Sequence, residues 1–183
     1  MIRTTAELLK IYGSHYQISR LVESGEWKKV GHGLYSDEDV GLSELEAISA
    51  RYPNAVLTME SAFAYHRLSD YVPDRYTFAT PLNAHRMQNE KVLQSFMSNE
   101  ILFIGATKVE TANGAFRVYD KERMLIELFR LKSKFPPDYY REVVNAYREL
   151  AKDEDLDFRK LLAYCKCFKR GAALKARVEE VIL

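Results

Sequence analysis

Cysteine is nearly absent from this 183-residue chain, which holds only Cys165 and Cys167. Two positions apart on an expected helix, their side chains diverge, so a mutual disulfide or a shared metal is not expected. Partly buried thiols in a reducing cytoplasm are. Charge of one sign is missing too: 27 Lys and Arg stand against 26 Asp and Glu, a net charge of +1. A chain so balanced is no polyelectrolyte, and any nucleic-acid contact must come from a local patch. No uninterrupted apolar run approaches the ~20 residues that span a bilayer. The opening MIRTTAELLK is amphipathic, without the apolar core of a secretory signal. No membrane partner is expected, and the expected location is cytoplasmic.

Catalytic signatures are missing as well. The sequence has no GxxxxGK[ST], GxGxxG or GxSxG. His15, His32, His66 and His85 lie far apart, with none of the spacings that gather a metal. Asp37, Glu38 and Asp39 are consecutive, so their carboxylates point different ways. Glu122 and Glu127 are five apart and do not share a helix face cleanly. No catalytic residue, metal ligand or cofactor is expected, and the chain is not expected to be an enzyme. There is no internal repeat and no low-complexity segment.

What is present is a sequence of helix signals close to the N-terminus. Thr4-Thr5-Ala6-Glu7 is a capping box, with Leu8, Leu9 and Ile11 following on a helix. Gly13 suits the left-handed position that ends it. Ser14-His15-Tyr16-Gln17 starts a second helix at once, with Ile18, Leu21 and Val22 as its buried stripe. WKKVGHGLY, Trp27 to Tyr35, reads as two short strands about a glycine turn. Helix, tight turn, helix and hairpin is the grammar of a winged helix-turn-helix.

After the hairpin, residues 36–49 hold five acids and no base, an expected linker into a third capping box at Ser43 and Glu46. Helices are expected to Tyr52 and over MESAFAYHRL, the latter capped by Thr58. RYTFAT, EILFIGATKV and AFRVY read as strands, and VLQSFM as strand or helix. Asp120 should cap a helix with Leu125, Leu128 and Phe129 inward, and Pro137 should open another. Two further helices, broken at Gly171, close the chain. The fold class is α+β: a winged helix-turn-helix over residues 1–40, then an α+β domain over 41–183 with a few strands and a helical C-terminus.

In a winged helix the second helix enters the major groove and the hairpin touches the backbone. The face of that helix opposite Ile18, Leu21 and Val22 carries Tyr16, Arg20 and Glu23, flanked by Gln17 and Ser19. Arg20 can fork onto guanine and Gln17 can bridge adenine, each good bidentate pair giving ~1–3 kcal/mol of discrimination. Ser14, His15 and the helix start can hold a phosphate. Lys28, Lys29 and His32 add backbone contacts from the hairpin, although strict alternation would lay one lysine along the body of the domain. Residues 1–35 hold five Lys or Arg against three Glu, a net of only +2. Charge and spacing alone leave a DNA-binding and a protein-binding winged helix both open.

Three segments in order extend the reading: AELLKIYGSHYQISRLVESGEWKKVGHGLY, VLTMESAFAYHRLSDYVPDRYTFATPLNAHR and FRVYDKERMLIELFR. Together they resemble the AbiEi-type antitoxins of abortive-infection toxin–antitoxin systems. The likeness rests on the basic glycine-containing wing from Lys28 to Tyr35, on Ser61, Ala62 and His66 of a Ser-Ala-x-x-x-His helix, and on Asp120 to Glu127. It implies a two-part protein of a type IV system. The N-terminal domain would bind inverted repeats in double-stranded operator DNA, as a homodimer or as paired monomers, and repress its own operon. The C-terminal domain would counteract a nucleotidyltransferase-like toxin without requiring a stable contact. Residues 155–183 carry seven Lys or Arg against four acids, a surplus that solvated faces of two amphipathic helices account for. Two rivals remain open: a stand-alone regulator with a ligand- or partner-sensing second domain, and a nuclease-like enzyme using carboxylates of the middle region.

Overall fold

The computed structural model describes residues 1–39 and 41–182. The position at which the sequence reading ends its first domain, 40, and the last residue, 183, lie outside the described residues. The chain is α+β, with nine helices and eight strands in two sheets among the described residues. None of these helices is long and apolar enough to cross a membrane. Two compact units divide it: Met1–Asn54 with Lys108–Arg117, and Ala55–Thr107 with Val118–Leu183.

The first unit opens with β1 (Ile2–Thr4), α1 (Thr5–Tyr12) and α2 (His15–Glu23), then β2 (Lys28–Gly31) and β3 (Leu34–Ser36). The three strands form an antiparallel sheet in the order β1-β3-β2. The caps are as the sequence dictates. Glu7 N–H donates to Thr4 Oγ1 while Thr4 N–H donates back to Glu7 Oε2 at 2.7 Å. The same reciprocal pair joins Ser43 and Glu46 at the start of α3 (Glu44–Arg51). Hairpin residues 108–117 belong to this unit. Within it Thr111 Oγ1 donates to the Glu46 carboxylate, and Asn113 Nδ2 donates to the Gly41 carbonyl at 2.9 Å.

The second unit contains β4 (Val56–Leu57), α4 (Met59–Tyr65), β5 (Tyr76–Pro81), β6 (Val92–Met97) and α5 (Asn99–Leu102). The start of strand β7 (Ala106–Glu110) and the end of β8 (Ala115–Tyr119) follow, residues 108–117 of that hairpin being counted in the first unit, then α6 (Lys121–Arg130), α7 (Pro137–Lys152), α8 (Phe158–Cys165) and α9 (Gly171–Val181). The second sheet runs β6-β5-β4-β8-β7. β4 is antiparallel to β5, whereas β5 and β6 are parallel from Tyr76↔Val92 to Pro81↔Met97. α6 is the unit's central helix: all seven residues from Glu122 to Leu128 are buried. Asp120 caps it, accepting from Arg123 N–H at 2.8 Å, and Pro137 stands in the first turn of α7.

Several expectations shift locally. EILFIGATKV is not one strand, because Ser98 caps the short α5 and Gly105, at φ 72°, turns the chain into β7. VLQSFM is a strand. Thr58 stands at the N-cap of α4 without a side-chain cap bond, its hydroxyl turned toward Met124 Sδ instead. Ile11 is exposed, and Met124 and Ile126 take interior places while Phe129 is half-buried. Gly171 opens α9, where any Cβ would lie 2.2 Å from the Cys165 carbonyl oxygen.

A candidate nucleic-acid interface and a buried polar cluster

The turn between α1 and α2 consists of Gly13 and Ser14 alone. Gly13 adopts φ 80°, and its N–H closes α1 onto the Leu9 carbonyl at 2.9 Å. Ser14 is extended, and its Oγ accepts from Gln17 N–H at 3.2 Å. A turn this short crosses α2 over α1 and buries one face of each. Leu8, Ile18 and Trp27 form the resulting core, with Leu9, Leu21, Val22 and Tyr35 packed against it. Burying a side chain of this size contributes about 1.5–3 kcal/mol, so three of them are enough to fix how the helices lie against the hairpin.

Trp27 is therefore core and not strand. Its N–H donates to the Leu21 carbonyl at 3.1 Å, which brings the chain back along α2 before β2 starts. The hairpin tip is tied to α1, because Thr5 N–H donates to the Gly33 carbonyl at 2.9 Å. Lys28 pairs with Ser36 and Lys29 with Tyr35, but Gly31 pairs with Leu34, leaving Val30 as the extra residue of a bulge. The alternation that would lay one lysine along the body does not hold: Lys28 and Lys29 are both exposed on an edge strand.

Each of the nine sequence-derived positions can now be placed. Ser14, His15, Tyr16, Gln17, Ser19 and Arg20 are all exposed at the start and along the outer face of α2, and His32 is exposed at the hairpin tip. Ser14 differs from the rest, since its Oγ already serves as a cap. Among the described residues no ion pair engages Arg20 or Lys29. Lys28 is engaged: its Nζ lies 2.9 Å from Asp39 Oδ2. That pairing was not read from the sequence, yet a signal existed. Lys28 stands opposite Ser36, and an acidic run begins at the next residue.

The second unit gathers the residues that carried the remaining resemblance. Ser61 Oγ accepts from Thr77 N–H at 2.9 Å and donates to the Arg75 carbonyl, fastening α4 to β5. His66 Nε2 lies 2.6 Å from the Tyr119 carbonyl oxygen, and burial holds its imidazole below the usual histidine range. Asp120 and Glu122 do converge, but on a lysine: Lys160 Nζ is 3.0 Å from an oxygen of each. Burial opposes the ammonium charge, and the hydrogen bonds to the two carboxylates outweigh it, so Lys160 titrates above its ordinary value. Tyr164 donates to Asp120 Oδ2 at 3.0 Å; burial and then that negative charge push its phenol up to about 12.

Arg123 is fully buried between the Tyr119 and Phe168 rings, its guanidinium carbon 4.3 and 4.8 Å from their centres. It donates to the Ile101 and Ile104 carbonyls at 2.6 and 2.7 Å and pairs with Glu127 at 2.9 Å. Arg130 shares the same Glu127 oxygen at 2.6 Å. The cluster thus caps the end of α5 and fastens α6 to α8. Among the described residues no group of three or more His, Cys, Asp or Glu is placed to hold a metal ion.

No protein-family model matches the chain, and no curated protein does. Among solved structures it is similar to the RV2827C protein from Mycobacterium tuberculosis. The TM-score is 0.51, over 100% of this chain and 75% of that one, at 16% sequence identity. At that identity the likeness speaks to the α+β fold alone.

Proposed function

We propose that this chain is a DNA-binding autorepressor and antitoxin of the AbiEi type, acting in the cytoplasm on the operon that encodes it. The observation that supports this reading is the presentation of α2. A two-residue turn, a core of Leu8, Ile18 and Trp27, and a hairpin tied back to Thr5 leave the polar face of α2 entirely exposed. A helix so held fits the major groove, with the hairpin beside it. Gln17 and Arg20 are assigned to base edges, with Ser19 and Tyr16 beside them. Lys28, Lys29, His32, His15 and the Ser14 turn are assigned to phosphates. The partner for the antitoxin half is a nucleotidyltransferase-like toxin, opposed in effect and not necessarily by stable contact.

The DNA half is tested by gel shift of the whole protein on its own promoter, beside Arg20→Ala and Lys28→Ala/Lys29→Ala variants. Wild-type protein that fails to shift the promoter at low salt ends this reading. The antitoxin half is tested by expressing the neighbouring gene with and without this one. A neighbour harmless on its own removes the toxin pairing and leaves the stand-alone regulator in its place.

A further inference from the structure

Of the side chains assigned to phosphates, Lys28 alone has an ion-pair partner among the described residues. Lys28 opens the edge strand β2 and stands opposite Ser36, the last residue of the central strand β3. Ser36 is fully buried, and its Oγ accepts from Glu38 N–H at 3.1 Å. A serine hydroxyl bonded two residues onward makes a tight turn, so the chain bends as soon as it leaves the sheet. Asp39 comes next, and its Oδ2 lies 2.9 Å from Lys28 Nζ. Strand register fixes one partner, and a turn anchored on a buried hydroxyl delivers the other.

A carboxylate at this distance gives the ammonium what a phosphate oxygen would give it, an anionic hydrogen-bond acceptor. The two side chains are 49% and 91% exposed, so a competing anion can reach the pair. A phosphodiester brought to Lys28 therefore meets a charge already engaged. Asp37 and Glu38 add like charge on the same short segment. Arg20 and Lys29 carry no such partner among the described residues, and their charges face solvent.

We infer that Asp39 is an autoinhibitory stand-in for operator phosphate: it holds Lys28 in the free protein, and the Lys28–Asp39 pair breaks when DNA binds. The inference rests on the DNA-binding reading above and adds a regulatory contact to that same surface. Its size follows from exposure. An ion pair open to solvent competes weakly, so the contact lowers affinity by about two- to fivefold at low salt and blocks nothing outright. Salt screens exposed charges, so the effect shrinks as ionic strength rises. Because the competitor is tethered beside its lysine, diluting the protein does not remove it.

The test is a double-mutant cycle on the full chain, read as fluorescence anisotropy of labelled promoter DNA at low salt. Asp39→Asn should bind about two- to fivefold tighter than wild type. In the Lys28→Ala background most of that gain should vanish, because no pair is left to break. Glu38→Gln is the control: it removes the same charge one residue away, from a side chain paired with no lysine or arginine among the described residues. Its effect should be equal in both Lys28 backgrounds. Asp39→Asn binding no tighter than wild type overturns the inference, since nothing was then competing. An Asp39→Asn gain of equal size with and without Lys28 also overturns it, since plain repulsion then accounts for the gain. Asp39→Ser, a second neutral replacement, should repeat the Asp39→Asn pattern and covers the case of a variant that fails to fold. Wild-type protein that does not bind the promoter removes the DNA-binding reading and this inference with it. Wild-type protein that binds, with a gain indifferent to Lys28, removes the inference alone.

Discussion

Replacing Arg123 by methionine removes a buried cation while leaving most of its volume. The side chain is fully buried, and the Glu127 carboxylate it leaves behind is fully buried too. Glu127 keeps only Arg130 on one oxygen, and its second oxygen is already buried without a partner. The Ile101 and Ile104 carbonyls lose donors at 2.6 and 2.7 Å. Breaking a buried ion pair from one side costs about 3–5 kcal/mol, and the two stranded carbonyls place this case at the upper end of that range. Such a loss is a large part of the ~5–15 kcal/mol by which ordinary domains are stable. Arg123→Met/Glu127→Leu removes the stranded charge and should recover most of the loss, leaving about 1–3 kcal/mol for the carbonyls. Urea unfolding followed by circular dichroism is the suitable assay, because the single tryptophan, Trp27, lies in the first unit and reports on it. A single variant within about 1 kcal/mol of wild type, or a double variant no more stable than the single, would refute the view that Asp120 to Glu127 is a structural polar core.

Other outcomes are equally specific. α4 ends in a Schellman arrangement, with Leu68 N–H on the Phe63 carbonyl and Arg67 N–H on the Ala64 carbonyl, but the left-handed position is held by exposed Arg67 at φ 58°. Arg67→Gly should stabilise the protein by about 0.5–1 kcal/mol, read as a higher Tm, since relief of the left-handed strain exceeds glycine's entropic cost. Gly105→Ala should destabilise by about 2–4 kcal/mol in urea, because φ is positive there and the new Cβ would lie 2.5 Å from Arg123 Cβ. Hydrogen bonds from the Ser43 and Thr111 hydroxyls, then from the Ser43 amide, hold the Glu46 carboxyl below its ordinary value. Its stabilising contribution is thus present above the ordinary carboxylate range and fades as pH falls through the lowered value. Glu46→Gln should flatten that acid-side decline when Trp27 fluorescence is followed against temperature and pH. On the promoter, Lys28→Ala/Lys29→Ala should reduce the slope of log K against log salt by about 2 if both lysines meet phosphates; an unchanged slope would remove them from the interface.

The parts of the fold that sequence could convey are those decided by neighbours in the chain. Thr4 with Glu7, Gly13, Ser14, Ser43 with Glu46, Asp120 and Pro137 each set a helix end through bonds made within a few residues. Strands β1 and β4 escaped notice because three and two residues carry no period, and their partners lie 30 and 21 residues away or more. The burial of Arg123 and Glu127 was not legible, since it depends on Ile101, Ile104 and Phe168, which arrive from other elements. At the candidate interface the exposed face of α2 followed from the buried stripe beside it. The exposure of both lysines depended on a bulge at Val30, and the engagement of Lys28 on Asp39 beyond the next strand.

The path of the chain between the two units has a consequence for synthesis. It passes from one unit to the other at three peptide bonds, Asn54–Ala55, Thr107–Lys108 and Arg117–Val118. The helices that would meet DNA are made first, but residues 108–117, which supply Thr111 and Asn113 to the same unit, are made only after residues 55–107. A ribosome that stalls within that interval holds a first unit still lacking part of itself. The N-terminal unit is therefore finished by a loop of the other unit's sequence, and a cut after Asn54 would not set it free.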